Sequence, residues 1–446
     1  MNRLRIKAAR RRKRPYDDPV AACSRLPRKT LPALLTGKGP KDISRFSYLG
    51  WSPHAVITYR SGFFTFRTGE ASLVWETPFY EGLKRLLQSV NFQDFPFPLS
   101  QVGLLGLLSF ELFKEGEEFR GELPDLYPFP EAEFILYRRY IIWDHAKCKS
   151  WEYEVTYDGA GLGEEPFCKE TAPVNVFAEK GDGKEAYIAR INRIIEYIRT
   201  GDVYEVNLTR HFSFPFSKKD PFAFFEKLYR KNPAPFSAYI DCGAFQVVSN
   251  SPEMFLRAEG RRVETRPIKG TVPTSPDREK DYENRAYLLS SAKEEAELYM
   301  IIDLLRNDLA RVSRPGTVKV LKRKRLERYR NVYHLVGVIR SLMKKEADYA
   351  DLLKAAFPGG SITGCPKIRS IEIIRELEET KRHLYTGSIV MMNNRSLISS
   401  IAIRTAIVTG GQIIINAGGA ITVGSDPERE YEEVLAKISN FMEVLL

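Results

Sequence analysis

Apolar positions recur with two periods along this chain, and the period changes often. Tyr187, Ile188, Ile191, Ile194, Ile195 and Ile198 fall three or four apart, which predicts a helix over Lys184–Arg199 closed by Gly201. Tyr80–Val90 has the same amphipathic spacing. Leu298, Ile301, Ile302, Leu305, Leu309 and Val312 form a third stripe, behind a Ser291/Glu294 pair at capping-box spacing. Further helices are predicted from Pro366 to Glu379, behind a glycine-rich loop, and from Ser425-Asp-Pro-Glu428, where a capping pair meets an early proline. The apolar stretch around His334 also reads as helical. Between these lie short runs rich in β-branched and aromatic residues. They predict strands at 46–50, 55–59, 135–144, 150–157, 203–208, 236–240, 245–248, 254–256, 388–392, 399–407 and 412–417. Strands and helices mix without a regular βαβ rhythm, so the fold class is α+β.

Residues 158–184 are crowded with Gly, Pro, Glu and Lys and read as a linker. The chain then divides into a basic arm at 1–30, a region at 31–157, the linker, and a region at 185–446. Composition is that of an ordinary globular protein, 43% hydrophobic over 446 residues. The longest apolar run, Val102–Phe113, is broken by Gly103, Gly106, Ser109 and Glu111, so no membrane-spanning helix is expected. The net charge of +11 is local. Residues 1–30 hold eleven Lys/Arg against two Asp, and the remaining chain is nearly neutral. That arm reads as a disordered, solvated start, or else as a nucleic-acid-binding or targeting segment. Five cysteines, none at C-x-x-C spacing, argue against a disulfide framework or a zinc site and fit a reducing cytoplasm.

Candidate chemistry is scattered. In Glu264-Thr-Arg-Pro-Ile-Lys-Gly-Thr271, Lys269 stands between the turn residues Pro267 and Gly270. It is either a surface lysine or, if desolvated, a nucleophile. Glu294 and Glu297 share one helix face, and Glu430 and Glu433 repeat the spacing with Lys437 one turn beyond. If the faces meet, they offer oxygen ligands to Mg²⁺; otherwise they are ordinary solvated glutamates. Phe357–Lys367 and Ala417–Ile421 are small-residue stretches that either cradle an anion or simply turn. Glu253 follows a proline turn and could work as an acid or base if buried. Arg404 reads as a charge inside an apolar strand, where a ligand carboxylate would serve as partner.

The order of these motifs is more specific than any one of them. Gly201–Arg210, Ser249–Leu256, Glu264–Thr271, Lys293–Val312, Phe357–Lys367, Tyr385–Ser388, Ile401–Thr405, Ala417–Ile421 and Ser425–Lys437 together resemble the chorismate-utilising enzymes. The likeness is strong over roughly 185–442 and thinner before the linker. It implies a single α+β unit in which two antiparallel sheets form a core flanked by helices. It implies chorismate bound beside Mg²⁺ held by Glu297 and Glu433, with Glu294 and Glu430 nearby. By motif position, Tyr385, Arg404, Gly418, Gly419 and Lys437 grip carboxylates, Thr271 and Thr363 line the pocket, and His334 stands near the ring. Lys269 is similar to the lysine of the aminodeoxychorismate synthase branch, where it attacks C2 of the ring while Glu253 protonates the leaving C4 hydroxyl. Ammonia then enters at C4, a transaminase-class amination leading to para-aminobenzoate and folate.

That route requires a lowered Lys269 pKa. Anthranilate synthases, the alternative branch, usually carry alanine there. Glu205 stands where many relatives have glutamine and where isochorismate synthases have a water-activating lysine; Ala420 and Gly424 are further departures. No glutaminase motif is visible, so a separate glutamine amidotransferase is expected to supply ammonia. A basic-arm nucleic-acid binder on a degenerate enzyme body is the reading from another class, and the near-neutral body makes nucleic acid an unlikely partner.

Overall fold

The computed structural model describes residues 5–69, 71–90, 102–115, 119, 121–158, 183–217 and 219–445. Residues 159–182, nearly all of the expected linker, lie outside these, as does Cys168.

The basic start is not a disordered arm. Arg5–Arg14 is a strand paired antiparallel with Lys149–Asp158, and Arg12 bonds Glu152 at 2.8 Å while Arg11 lies over the Trp151 ring. Helix Pro19–Ser24, capped by Asp18, then buries Val20 and Cys23. A sheet edge needs only backbone partners, and its charged side chains point to water and block further pairing. Charge counting therefore read an edge strand as a tail.

Two antiparallel layers form the core, joined by two long strands, Phe46–Arg60 and Ala132–Asp144. Their register slips between Pro53 and Ala55. On one side of the slip they continue into Ala33–Thr36, Phe236–Asp241, Gln246–Ser251, Thr405–Thr409, Gln412–Ile421 and Glu205–Pro215. On the other they continue into Leu104–Leu108, Ser388–Met392, Ser396–Ile401, Met254–Glu259, Arg262–Arg266 and Val332–Leu342. The expected pair of sheets is thus one hydrogen-bonded network with a hinge of long strands.

The chain steps between the layers at 252–253 and at 402–404. The predicted strand 399–407 is therefore two strands, and Arg404 sits in the break at φ 51° rather than inside a strand. The two crossings are tied together. Asn250 donates to the Arg404 carbonyl at 2.9 Å, and Ile401 donates to that of Glu253 at 3.2 Å.

Helix Ala292–Val312 lays its predicted stripe against Val332–Leu342 in one layer. Each such side chain removed from water contributes roughly 1.5–3 kcal/mol. Helix Pro427–Leu445 packs on Gln412–Ile421 in the other layer. Both caps differ from expectation. Ser291 accepts from Glu294 N, but the Glu294 carboxylate lines a cavity instead. Asp426, not Ser425, accepts from Arg429 N, and Ser425 donates to Glu430 at 2.7 Å. His334 lies on strand Val332–Leu342, not on a helix; helix Ala292–Val312 packs on this strand and nearly every position along it is buried, so the alternation of a half-exposed strand is missing.

Candidate active site

Where the crossings meet the two helices, a cavity of about 490 Å³ opens. It gathers Glu253, Lys269, Thr271, Glu294, Glu297, His334, Tyr385, Arg404, Gly418, Glu430, Glu433 and Lys437. Of the residues expected there, Thr363 and Gly419 are not on its wall. Thr363 is fully buried; its hydroxyl is satisfied by Gly359 O and its carbonyl accepts from Asn207 N. At Gly419 a Cβ would stand 3.2 Å from Glu430 Oε2. Gly418 is on the wall; a Cβ there would collide with the Leu208 carbonyl, and the Gly418 carbonyl accepts from Lys437 Nζ at 2.7 Å.

Lys269 belongs to strand Ile268–Pro273, in which Gly270, at φ 68°, makes a bulge that shifts the register. A bulge re-aims the adjacent side chain. Nζ stands 2.8 Å from Glu205 Oε1 and 3.9 Å from Glu297 Oε2. Burial alone would lower its pKa, but the carboxylates of Glu205 and Glu297 outweigh burial and raise it. The expectation of a lowered pKa is therefore reversed at rest: sequence showed the lysine but not its two anions.

Glu253 is buried beside Pro252, and burial pushes its carboxyl up to about 7 against the opposing effects of Ser361 and Lys269. Ser361 Oγ donates to it at 2.6 Å. Burial also pushes His334 down to about 4, with Arg404 adding repulsion, so the ring is neutral near pH 7. Its Nδ1 lies 2.9 Å from Thr271 Oγ1. Arg404 has no carboxylate within ion-pair distance among the described residues, and burial lowers its pKa. A guanidinium held this way suits a ligand carboxylate. Burial raises Tyr385 to about 12, so its hydroxyl keeps its proton.

The four glutamates face one another across the cavity from the two helices. Burial pushes Glu297 up to about 7, with Glu205 and Glu294 adding to the rise. Burial raises Glu430, with Glu433 adding to it, whereas Lys437, at 2.7 Å, outweighs burial and lowers Glu433. Among the described residues no three His, Cys, Asp or Glu side chains stand close enough to hold a metal ion by themselves.

Sequence reasoning missed Ser361, Asn207 and Lys293, all on the cavity wall. Ser361 was visible only as part of a small-residue loop. That loop does not present its helix to this cavity: Pro366 and Lys367 line a separate outer groove of about 1110 Å³, where Lys367 pairs with Asp308 at 2.6 Å.

A buried lysine, a carboxyl that burial raises to about 7 and a guanidinium with no carboxylate at ion-pair distance line one cavity, an arrangement suited to binding a small carboxylate. Residues 39–443 match the family model for chorismate binding enzymes. The chain is 33% identical over 415 residues to aminodeoxychorismate synthase component 1 of Bacillus subtilis, covering 88% of this chain and 87% of that one. It is 32% identical over 402 residues to anthranilate synthase component 1 of Saccharolobus solfataricus, covering 90% of each. Among solved structures it is similar to anthranilate synthase component I from Streptococcus pneumoniae, with a TM-score of 0.76, 26% identity, and coverage of 96% and 98%. The chain belongs to the chorismate binding enzyme family and is a chorismate-utilising enzyme.

No helix among the described residues is long and apolar enough to cross a membrane.

Proposed function

We propose that this enzyme aminates chorismate at ring carbon C4, giving 4-amino-4-deoxychorismate for para-aminobenzoate and folate synthesis. The observation that carries the reading is Lys269, buried in the same cavity as a carboxyl, Glu253, that holds its proton up to about pH 7. In this reading Lys269 attacks C2 as a free amine, and Glu253 gives its proton to the departing C4 hydroxyl. Ammonia then bonds to C4, the bond between C2 and nitrogen breaks, and its electron pair returns to Lys269. The resting ion pairs oppose the first step, so substrate binding must loosen them. Arg404, Tyr385, Gly418 and Lys437 take the substrate carboxylates. Thr271 and the neutral His334 border the ring. Thr363 and Gly419 act at one remove, by fixing Asn207 and Glu430.

Glu297 and Glu433, with Glu294 and Glu430 nearby, would hold Mg²⁺. The donors are all oxygen, and the burial and added repulsion that raise Glu297 and Glu430 are what a cation would offset. Mg²⁺ uses one or two carboxylates and completes its shell with water and ligand oxygens, so a preformed cluster of three is not needed. When bound, the ion would neutralise a substrate carboxylate. Ammonia would come from a glutamine amidotransferase partner in the cytoplasm; the component 1 names of relatives support a second subunit.

A second reading, anthranilate synthase, is favoured by the Saccharolobus relative and the Streptococcus structure. The test is a product assay with chorismate, Mg²⁺ and ammonium, read by mass spectrometry for the aminated product and by a coupled assay for pyruvate. The expected result is amination without pyruvate, and in Lys269→Ala loss of C4 amination with residual chemistry shifted toward C2. Pyruvate with anthranilate from the unaltered enzyme establishes the second reading instead.

A further inference from the structure

The loop Phe357–Lys367 joins helix Tyr349–Ala356 to helix Lys367–Leu377. Ser361 and Ile362 at its middle line the active-site cavity, while its two ends line the outer groove. Ser361 Oγ donates to Glu253 Oε1 at 2.6 Å. The Ile268 backbone N–H and the Lys269 ammonium also face Glu253, and Tyr329 stands beyond Pro252, whose carbonyl takes its hydroxyl at 3.4 Å. A loop hydroxyl has many positions open to it, so its aim must be imposed by its surroundings.

Two contacts impose it. Gly360 lies so close to helix Ala292–Val312 that a Cβ would come within 2.7 Å of Leu304. Lys367 Nζ donates to the Ala356 carbonyl at 3.0 Å and to Asp308 Oδ2 at 2.6 Å. Ala356 ends the helix before the loop and Lys367 opens the helix after it, so the first bond closes the loop at its neck. The second ties that neck to the helix that also carries Glu294 and Glu297. Asp308 is buried; burial pushes its carboxyl up and the Lys367 amine down, and each opposes the other's shift. Both side chains line the outer groove and neither is on the wall of the active-site cavity, so neither is placed to touch substrate.

We propose that Lys367 and Asp308 are positioning residues for the acid step, their ion pair closing the loop so that Ser361 stays in hydrogen-bond contact with Glu253. The inference rests on Glu253 as the acid of the reading above and adds what sets that acid's place and proton affinity. The bond between C4 and oxygen breaks with its electron pair on oxygen, which takes the Glu253 proton and leaves as water. Glu253 is left as the carboxylate, to which Ser361 donates, and regains a proton when the newly bonded nitrogen sheds one. Losing that donor disfavours the carboxylate, so Glu253 would keep its proton to higher pH.

The test is the pH profile of the single-turnover rate of the full chain with chorismate, Mg²⁺ and ammonium. It is followed as loss of chorismate, which reads departure of the hydroxyl whichever product forms. Removing one partner alone would leave a buried charge unpaired, so the two are replaced together, as Lys367→Met/Asp308→Leu. The alkaline limb is expected to move up by about one pH unit, the size of a hydrogen bond to a charged acceptor. The rate should fall about tenfold while KM for chorismate stays within about twofold. Ser361→Ala should move the limb by the same amount, and all three substitutions together should move it no further, because both act through one hydrogen bond. An unmoved limb in the folded pair variant overturns the inference, as does a triple variant whose limb moves by the sum of the two shifts. A lower melting temperature with the limb still near pH 7 gives the pair a purely structural role and overturns it too. Lys367→Met/Asp308→Asn serves where leucine destroys the fold, and a chain that folds with neither pair overturns the inference. Anthranilate as the product overturns the C4 reading alone, since the same limb still decides the clasp. A limb that survives in Glu253→Gln removes the acid and this inference together.

Discussion

At the scale of single residues, environment decides chemistry that residue identity only permits. Glu253 holds its proton to about pH 7 because it is buried, whereas an exposed glutamate would lose it near 4.5. As an acid it works in the protonated form, so its contribution is present below about 7 and is lost as pH rises through that value. Once substrate binding has freed the Lys269 amine, the alkaline limb of the single-turnover rate is therefore expected near pH 7. Glu253→Gln should lose about 10²–10⁴ in rate and show no such limb. An unchanged limb in that variant would remove Glu253 from the acid's role. The same burial has a linked cost. The native state binds this proton more tightly than the unfolded chain, so the group's contribution to stability declines as pH climbs from about 4.5 to about 7. Lys269 is the opposite case, since the covalent route called for a lowered pKa. Glu205 lies 64 residues away in the chain and reverses the sign.

At the scale of elements, the working side chains sit where regular structure is interrupted. Lys269 is beside a bulge, and Glu253 and Arg404 are on the steps between layers. Gly270 is the residue that makes the bulge possible. Its φ of 68° disfavours any side chain, and a Cβ would come within 2.7 Å of Leu288 and 2.9 Å of Glu294. Gly270→Ala is expected to cost about 1–3 kcal/mol in strain, seen as a lower melting temperature. Turnover should fall on the order of 10²-fold as Lys269 moves from its position. Unaltered melting and turnover would show the bulge to be incidental. Helices were legible because their stripes need only local spacing, as at Lys184–Arg199. The break at Ala402-Ile403-Arg404 was not, since an apolar run looks the same whether it stays in one sheet or crosses to another.

At the scale of the molecule, the cavity exists because helices on different layers point their acidic faces at each other. Glu294 and Glu297 ride on the Val332–Leu342 side, and Glu430 and Glu433 on the Gln412–Ile421 side. A metal held between them would tie the layers together. Glu433→Ala is expected to raise the half-saturating Mg²⁺ about tenfold or more, by activity and by calorimetry with Mg²⁺ alone. An unmoved titration would exclude Glu433 from metal binding.

The sequence by itself determined the five helices with a clear apolar stripe or cap signal, the strands rich in β-branched and aromatic residues, the family and the residue types of the site, because periodicity and motif order are properties of the chain; it took the His334 strand for a helix. It misread the basic start, since the ladder that orders Arg5–Arg14 is supplied by Lys149–Asp158, more than a hundred residues away. Only the tertiary structure decided that Lys269 rests as an ion-paired cation, that Thr363 and Gly419 are not on the wall, and that Ser361 serves Glu253. Protonation, exposure and partner choice depend on distances through space, and those are fixed only when both layers have closed around the cavity.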